Sequence, residues 1–253
     1  MNWIGFKTIF MKEIGRSKDV VVQAFLSPVI TTLLYFLVFG SAIGGNIKPI
    51  HGVPYDHFIV PGLIMMALLM NSLMAASSGI YFPRFIGTMS DLLTSPLSYL
   101  EIVLGFAFSA AVRALAIGIT IFIISWIITG VTVVHILFTI LFGLLTALTF
   151  ALLGLVLGIW AKDFEQLSMV PTLLLTPLTF LGGIFYSASM LPPAWQSVTR
   201  ANPVFYMIDG LRWGFFGVSD TNPWMSLIIT GAVLALSILI LRRMFQTGYR
   251  LKN

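Results

Sequence analysis

Six long apolar runs constrain this chain more than anything else in it. They cover residues 20–39, 58–80, 102–130, 136–160, 167–185 and 224–241. A helix crossing the hydrocarbon core needs about 20 mainly apolar residues. Lipid leaves no partner for an unpaired backbone group, so spans this long are helical. The chain is 58% hydrophobic and only 9% charged, whereas soluble domains carry about 25% charged residues. The expected fold is an all-α polytopic membrane protein with six transmembrane helices. No fixed-period repeat or low-complexity linker divides it, so residues 1–253 are read as a single transmembrane domain.

Six spans place both termini on one side. Ten of the fourteen Lys and Arg residues fall there: Lys7, Lys12, Arg16, Lys18, Arg84, Lys162, Arg242, Arg243, Arg250 and Lys252. The opposite side carries Lys48, Arg200 and Arg212, and Arg113 lies within the third span. The positive-inside rule makes the termini cytoplasmic. The net charge of +5 is thus loop bias and implies no nucleic-acid partner.

The fifth run is the unusual one. Pro171 and Pro177 interrupt it, Gly182 and Gly183 end it, and an aromatic-rich stretch follows to Gly217. Non-helical backbone at membrane depth is tolerated only where protein or a water-filled cavity satisfies it. Pro192 and Pro193 suit the first turn of a short helix, and Asn202-Pro203 supplies an N-cap and an N1 proline for a second. Asp209 and Arg212 stand at i,i+3 on the second helix. The segment reads as a pair of amphipathic half-helices, an extracytoplasmic re-entrant or interfacial hairpin before the last span.

Two further segments are candidates. Over residues 2–18, Trp3, Ile4, Phe6, Phe10, Met11 and Ile14 form a broad apolar face opposite Thr8, Lys12, Glu13 and Arg16. That pattern fits an amphipathic helix on the inner leaflet; the plainer reading is a solvated basic tail. Residues 84–101 are longer than a turn requires, and 87–96 read as a short helix stopped by Pro96. Such a helix either docks a cytoplasmic partner or is an inert surface element. Arg113 is the one ionisable residue deep in a span, where such a group costs at least about 2.5–3.5 kcal/mol. It either packs against a backbone carbonyl or lies on a transport path. Asn71, Ser72, Ser77 and Ser78 are expected to hydrogen-bond between helices, and Gly154 and Gly158 to mark a close helix contact.

Several chemistries find no support. There is no cysteine, and His51, His57 and His135 lack ligand spacing, so neither a metal site nor a catalytic set is expected. No Gly-rich phosphate loop is present, so any nucleotide is hydrolysed on another chain. A gradient-driven secondary transporter or channel is the alternative reading; it predicts intramembrane carboxylates or repeated halves.

The stretches FIVPGLIMM at 58–66, GTMSDLLTSPLS at 87–98, LVLGIWAKDFEQLSMVPTLLLTPLTFLGGIFY at 155–186, LPPAWQ at 191–196 and NPVFYMIDGLRWGFFG at 202–217 resemble the ABC-2 type permeases of bacterial ATP-binding-cassette exporters. The likeness is to small inner-membrane permeases of the nodulation-factor and daunorubicin-resistance type, and it covers nearly the whole chain. Met89-Ser90 depart from it, where the family pattern is more acidic. The resemblance implies a homodimer of six-span subunits with a separate cassette ATPase docked beneath, which holds the ATP and Mg, leaving no cofactor here. It implies a coupling helix at 84–96 using Arg84, Gly87, Thr88, Asp91, Leu92 and Leu93. It also implies an outer gate using Gly182, Gly183, Pro192, Pro193, Asn202, Pro203, Asp209 and Arg212, and an interfacial role for the N-terminal helix beside membrane lipids. The cargo it implies is amphipathic, lipid-like, drug-like or a glycolipid, exported from the cytoplasm or inner leaflet.

Overall fold

The computed structural model describes residues 2–19 and 25–250, and every regular element among them is helical. Residues 20–24, the start of the first expected span, lie outside the described residues. The elements are α1 (Trp3–Asp19), α2 (Ser27–Tyr35), α3 (Tyr55–Phe85), α4 (Met89–Thr94), α5 (Tyr99–Thr129), α6 (Ile136–Trp160), α7 (Phe164–Val170), α8 (Thr176–Leu181), α9 (Pro193–Ala201), α10 (Pro203–Phe216) and α11 (Pro223–Thr247). Four of these, α3, α5, α6 and α11, are long and apolar enough to cross a membrane. In the other two apolar runs the described helix continues through a π-helical stretch, so the fifth run is not interrupted at Pro171 and Pro177 as expected. α2 continues as a π-helical stretch, Phe36–Ile43. α7 and α8 are joined by another, Pro171–Leu175, where Pro171 has no N–H to give and Thr176 N–H closes back on the Pro171 carbonyl.

α3 is the hub. It packs on α5, α6 and α10, and its apolar stretch is 83% buried, against 22% for α11 at the rim. A helix enclosed on all sides is apolar all round. Its closest neighbour is α6, because Gly154 and Gly158 present no side chain. A Cβ on Gly158 would lie 2.5 Å from the Ser77 carbonyl, and one on Gly154 would lie 3.0 Å from Leu73 Cα. Ser72, Ser77 and Ser78, and Asn71 with them, turn back on carbonyls three or four residues earlier in α3. They satisfy themselves within the helix, not between helices as expected, since in hydrocarbon the nearest carbonyl is on their own helix. Their small size still lets α6 approach.

α1 departs from its periodicity. It runs alongside the first turns of α5, in the same direction, and buries the stripe Gly5, Ile9 and Glu13. Gly105 makes room for it: a Cβ there would meet Ile9 Cγ2 at 2.7 Å. The apolar face with Trp3, Ile4 and Met11 remains exposed. Asn2 N–H donates to Glu101, which also closes a capping box with Ser98 at the start of α5.

α9 keeps Trp195 and Val198 exposed, as a surface half-helix would. α10 does not lie on the surface. It is buried among α3, α6 and α11 and runs antiparallel to α6, with Gly210 facing Phe142 and Gly214 facing Thr139. Val134 and His135 N–H donate to the Phe215 and Gly214 carbonyls at 2.9 and 2.8 Å. Small residues at 210 and 214 let α6 close over a helix whose aromatic content suggested an interface.

Candidate functional site

At the end of the bundle away from α4, three loops and α10 form one polar network. The turn after α8 sits on the first turns of α3: Tyr55 OH donates to the Phe185 carbonyl at 2.9 Å, and Ile184 O lies 2.8 Å from where a Gly62 Cβ would be. Gly183 has φ +82°, a left-handed turn that glycine adopts without penalty. Its carbonyl accepts from Arg212 Nη2 at 2.8 Å. The Arg212 guanidinium lies 3.8 Å over the Phe58 ring, a cation–π contact, and the residue is 1% exposed. Its Nε and Nη1 have no hydrogen-bond partner among the described residues. Asp209 does not pair directly with Arg212 despite the i,i+3 spacing. It accepts instead from Asp220 N–H at 2.8 Å and from Thr221 N–H and Oγ1 at 2.9 and 2.6 Å.

Asp220 extends the network. It accepts from Ser187 Oγ, from Ala188 N–H at 2.9 Å, and lies 3.0 Å from His51 Nε2. Burial raises its pKa, but the hydrogen bonds from Ser187, Ala188 and His51 outweigh that, and the carboxyl is held below its ordinary value. His51 occupies a left-handed conformation, φ 50°, in a tight turn closed by Ile50 and Val53. Asn202 is both the C-cap of α9 and the N-cap of α10. Its Oδ1 accepts from Val204 N–H at 3.0 Å, and its Nδ2 donates to the Leu178 carbonyl at 2.6 Å. That carbonyl is free because Gly182 N–H bonds Thr179 O instead. Pro192 is the N-cap of α9, and Pro193 and Pro203 are the first residues of α9 and α10.

At the opposite end, α4 lies between α3 and α5. Met89 is buried, Leu92 and Leu93 are half-buried on the core, and Gly87, Thr88, Ser90, Asp91 and Thr94 are exposed. Phe85 and Ile86 beside them are 71% and 66% exposed. Arg84 turns inward: its guanidinium donates to the carbonyls of Gly158 at 3.0 Å, Ile159 and Ala161, at the C-terminal end of α6. A cation suits those unpaired carbonyls and the helix dipole. Arg250 adds a bond to the Trp160 carbonyl.

A model of the ABC-2 type transporter family matches residues 5–216. The chain belongs to that family. Among its relatives is the inner membrane transport permease YadH of Escherichia coli (strain K12), 40% identical over the whole of this chain and 99% of its own length. Nodulation protein J of Rhizobium meliloti (strain 1021) is 27% identical over 83% of this chain and 80% of its own length, and the same-named protein of Rhizobium leguminosarum bv. trifolii is likewise 27% identical over 84% and 80%.

In this ABC-2 permease, Arg113 does not stand alone. α1 brings Glu13 and Arg16 to a small recess shared with Ala75, Ser109, Ala110 and Arg113. Glu13 is 6% exposed and pairs with Arg16 at 2.6 Å. An ion pair from a separate segment thus shares the recess with the half-buried Arg113, the attraction of Glu13 being opposed by the like charge of Arg16. Helical periodicity alone puts Glu13 opposite the apolar face of α1, and sequence reasoning misses its burial. Sequence reasoning also passes over Phe58, Ser187, Asp220 and Thr221, whose partners lie far away along the chain. Phe85 and Ile86 carried a legible signal, two large apolar residues next to a cation beyond the end of a span.

Proposed function

We propose that this permease is the membrane half of an ATP-driven exporter. In this reading residues 1–253 form one domain with six spans, α2 and α7–α8 belonging to the two with a π-helical stretch, and both termini are cytoplasmic. The α9–α10 hairpin is re-entrant from the outer face and forms the gate with Gly182, Gly183, Asn202, Asp209 and Arg212. Two copies make the pathway, and a separate cassette ATPase binds ATP and Mg beneath it. The cargo is amphipathic, in the lipid-like, drug-like or glycolipid range.

The supporting observation is the α4 end. A short helix anchored by Met89, Leu92 and Leu93 keeps Thr88, Ser90 and Asp91 exposed, next to the apolar pair Phe85 and Ile86. An apolar anchor ringed by polar groups suits protein docking. Rigid α3 and α6 then carry a push from there to the hairpin, since both touch α10.

The test is co-purification of the tagged permease with a cassette ATPase from the same cell. The wild-type chain is expected to retain the ATPase, and Ile86→Asp to lower retention at least tenfold while the permease stays monodisperse. Full retention by Ile86→Asp, or flux through the isolated permease in ATP-free proteoliposomes, contradicts the reading.

A further inference from the structure

A crevice of about 530 Å³ opens between α3, α5, α6 and α10, at the end of the bundle that holds the α5–α6 turn. Leu68 and Phe122 line it, and Leu211 and Phe215 of α10 form its inner wall. Its hydroxyls are those of Thr132 and Thr139, and Thr139 Oγ1 already donates to the His135 carbonyl at 3.2 Å. Water needs two to four polar partners to occupy a buried site, and this lining does not provide them. A void of that size would forfeit dispersion contacts along every wall. The rim residues Ile119, Ile136 and Ile140 are 57%, 65% and 60% exposed. They belong to helices of membrane-crossing length, so the crevice opens onto hydrocarbon.

We propose that this crevice seats one acyl chain of a bilayer phospholipid. The dimensions agree. From Ile136 to Leu144 it follows α6 for eight residue steps, about 12 Å at the helical rise, close to the half-thickness of a hydrocarbon core of about 30 Å. Gly143 keeps the wall open: a Cβ there would find its nearest neighbour, Leu115 Cδ2, at 3.7 Å. The seated chain touches Leu211 and Phe215, so α10 packs partly against lipid, and bilayer composition acts on that helix directly. Seating the acyl chain requires neither an ATPase partner nor a cargo.

The experiment reconstitutes the full chain with phosphatidylethanolamine carrying a diazirine in the acyl chain, irradiates it, and maps the adducts by mass spectrometry. Leu211 and Phe215 are each 2% exposed, so lipid reaches them only by entering the crevice. Adducts on Leu211 and Phe215 are expected in the wild type. They should fall at least fivefold in Gly143→Phe, which fills the floor, and in Ile140→Trp, which closes the rim without touching the core. Ile128→Trp, an exposed position off the crevice, should label as the wild type does. Labelling that misses Leu211 and Phe215, or labelling of these two residues unchanged in both Gly143→Phe and Ile140→Trp, overturns the proposal.

Discussion

Gly158→Leu is expected to abolish accumulation of folded permease. The position has no room to give: its neighbours are the Ser77 carbonyl at 2.5 Å and Cα at 3.1 Å, and the side chain of Ile80. The obstruction is largely backbone of a helix that is itself buried, so the new side chain must separate α3 from α6. Overpacking a core typically costs about 1–3 kcal/mol; with backbone in the way, the cost here is at the upper end, about 3 kcal/mol or more. Moving α6 also disturbs the carbonyls of Gly158, Ile159 and Ala161 that Arg84 caps. Gly231→Leu is the control, because nothing lies within 4 Å of a Cβ there. Detergent-extracted yield and thermal midpoint measure the difference; equal midpoints for the two variants would show that the α3–α6 seam is not close-packed.

Asn202→Ala is the second large effect, expected to destabilise by about 2–4 kcal/mol. The substitution removes the α10 cap, worth about 0.5–2 kcal/mol, and leaves the Leu178 carbonyl without its donor, about 1–3 kcal/mol for a buried group. The residue is 5% exposed, so water replaces neither bond. Asn202→Ser separates the two contributions, since it keeps a capping oxygen and is too short to reach the Leu178 carbonyl. Thermal midpoints should fall in the order wild type, Asn202→Ser, Asn202→Ala. Hydrogen exchange should accelerate at the first turn of α10 in Asn202→Ala only. Wild-type exchange and stability in Asn202→Ala would mean that the bonds at 2.6 and 3.0 Å do not hold the hairpin.

Local signals made much of the fold legible. The bounds of α6 follow from its apolar run alone, and the Pro-Pro and Asn-Pro dipeptides place the starts of α9 and α10. Gly154 and Gly158 point to close packing, although one sequence cannot name the partner helix. What periodicity misses is set by tertiary contact. α1 buries Glu13 and leaves Trp3 and Ile4 exposed, because Gly105 and Arg113 on α5 decide which stripe fits. α10 carries interface-like aromatics yet is enclosed by three helices. In the network of His51, Ser187 and Asp220, His51 meets partners 136 and 169 residues away along the chain. Local spacing carries no information about such pairs. The i,i+3 spacing of Asp209 and Arg212 suggests an ion pair, but the loop offers the carboxylate three donors instead, the backbone N–H groups of Asp220 and Thr221 and the Thr221 hydroxyl.

The central claim is that a push at α4 reaches the α9–α10 hairpin. The chain has no cysteine, so paired labels are introduced cleanly at two exposed positions, Lys48→Cys and Trp195→Cys, and their separation is read by pulsed electron resonance in the reconstituted complex. The account predicts a distance distribution that shifts when nucleotide is trapped on the cassette ATPase, and no shift once Ile86→Asp is added. A distribution indifferent to nucleotide, or one that shifts equally without the ATPase, would contradict it.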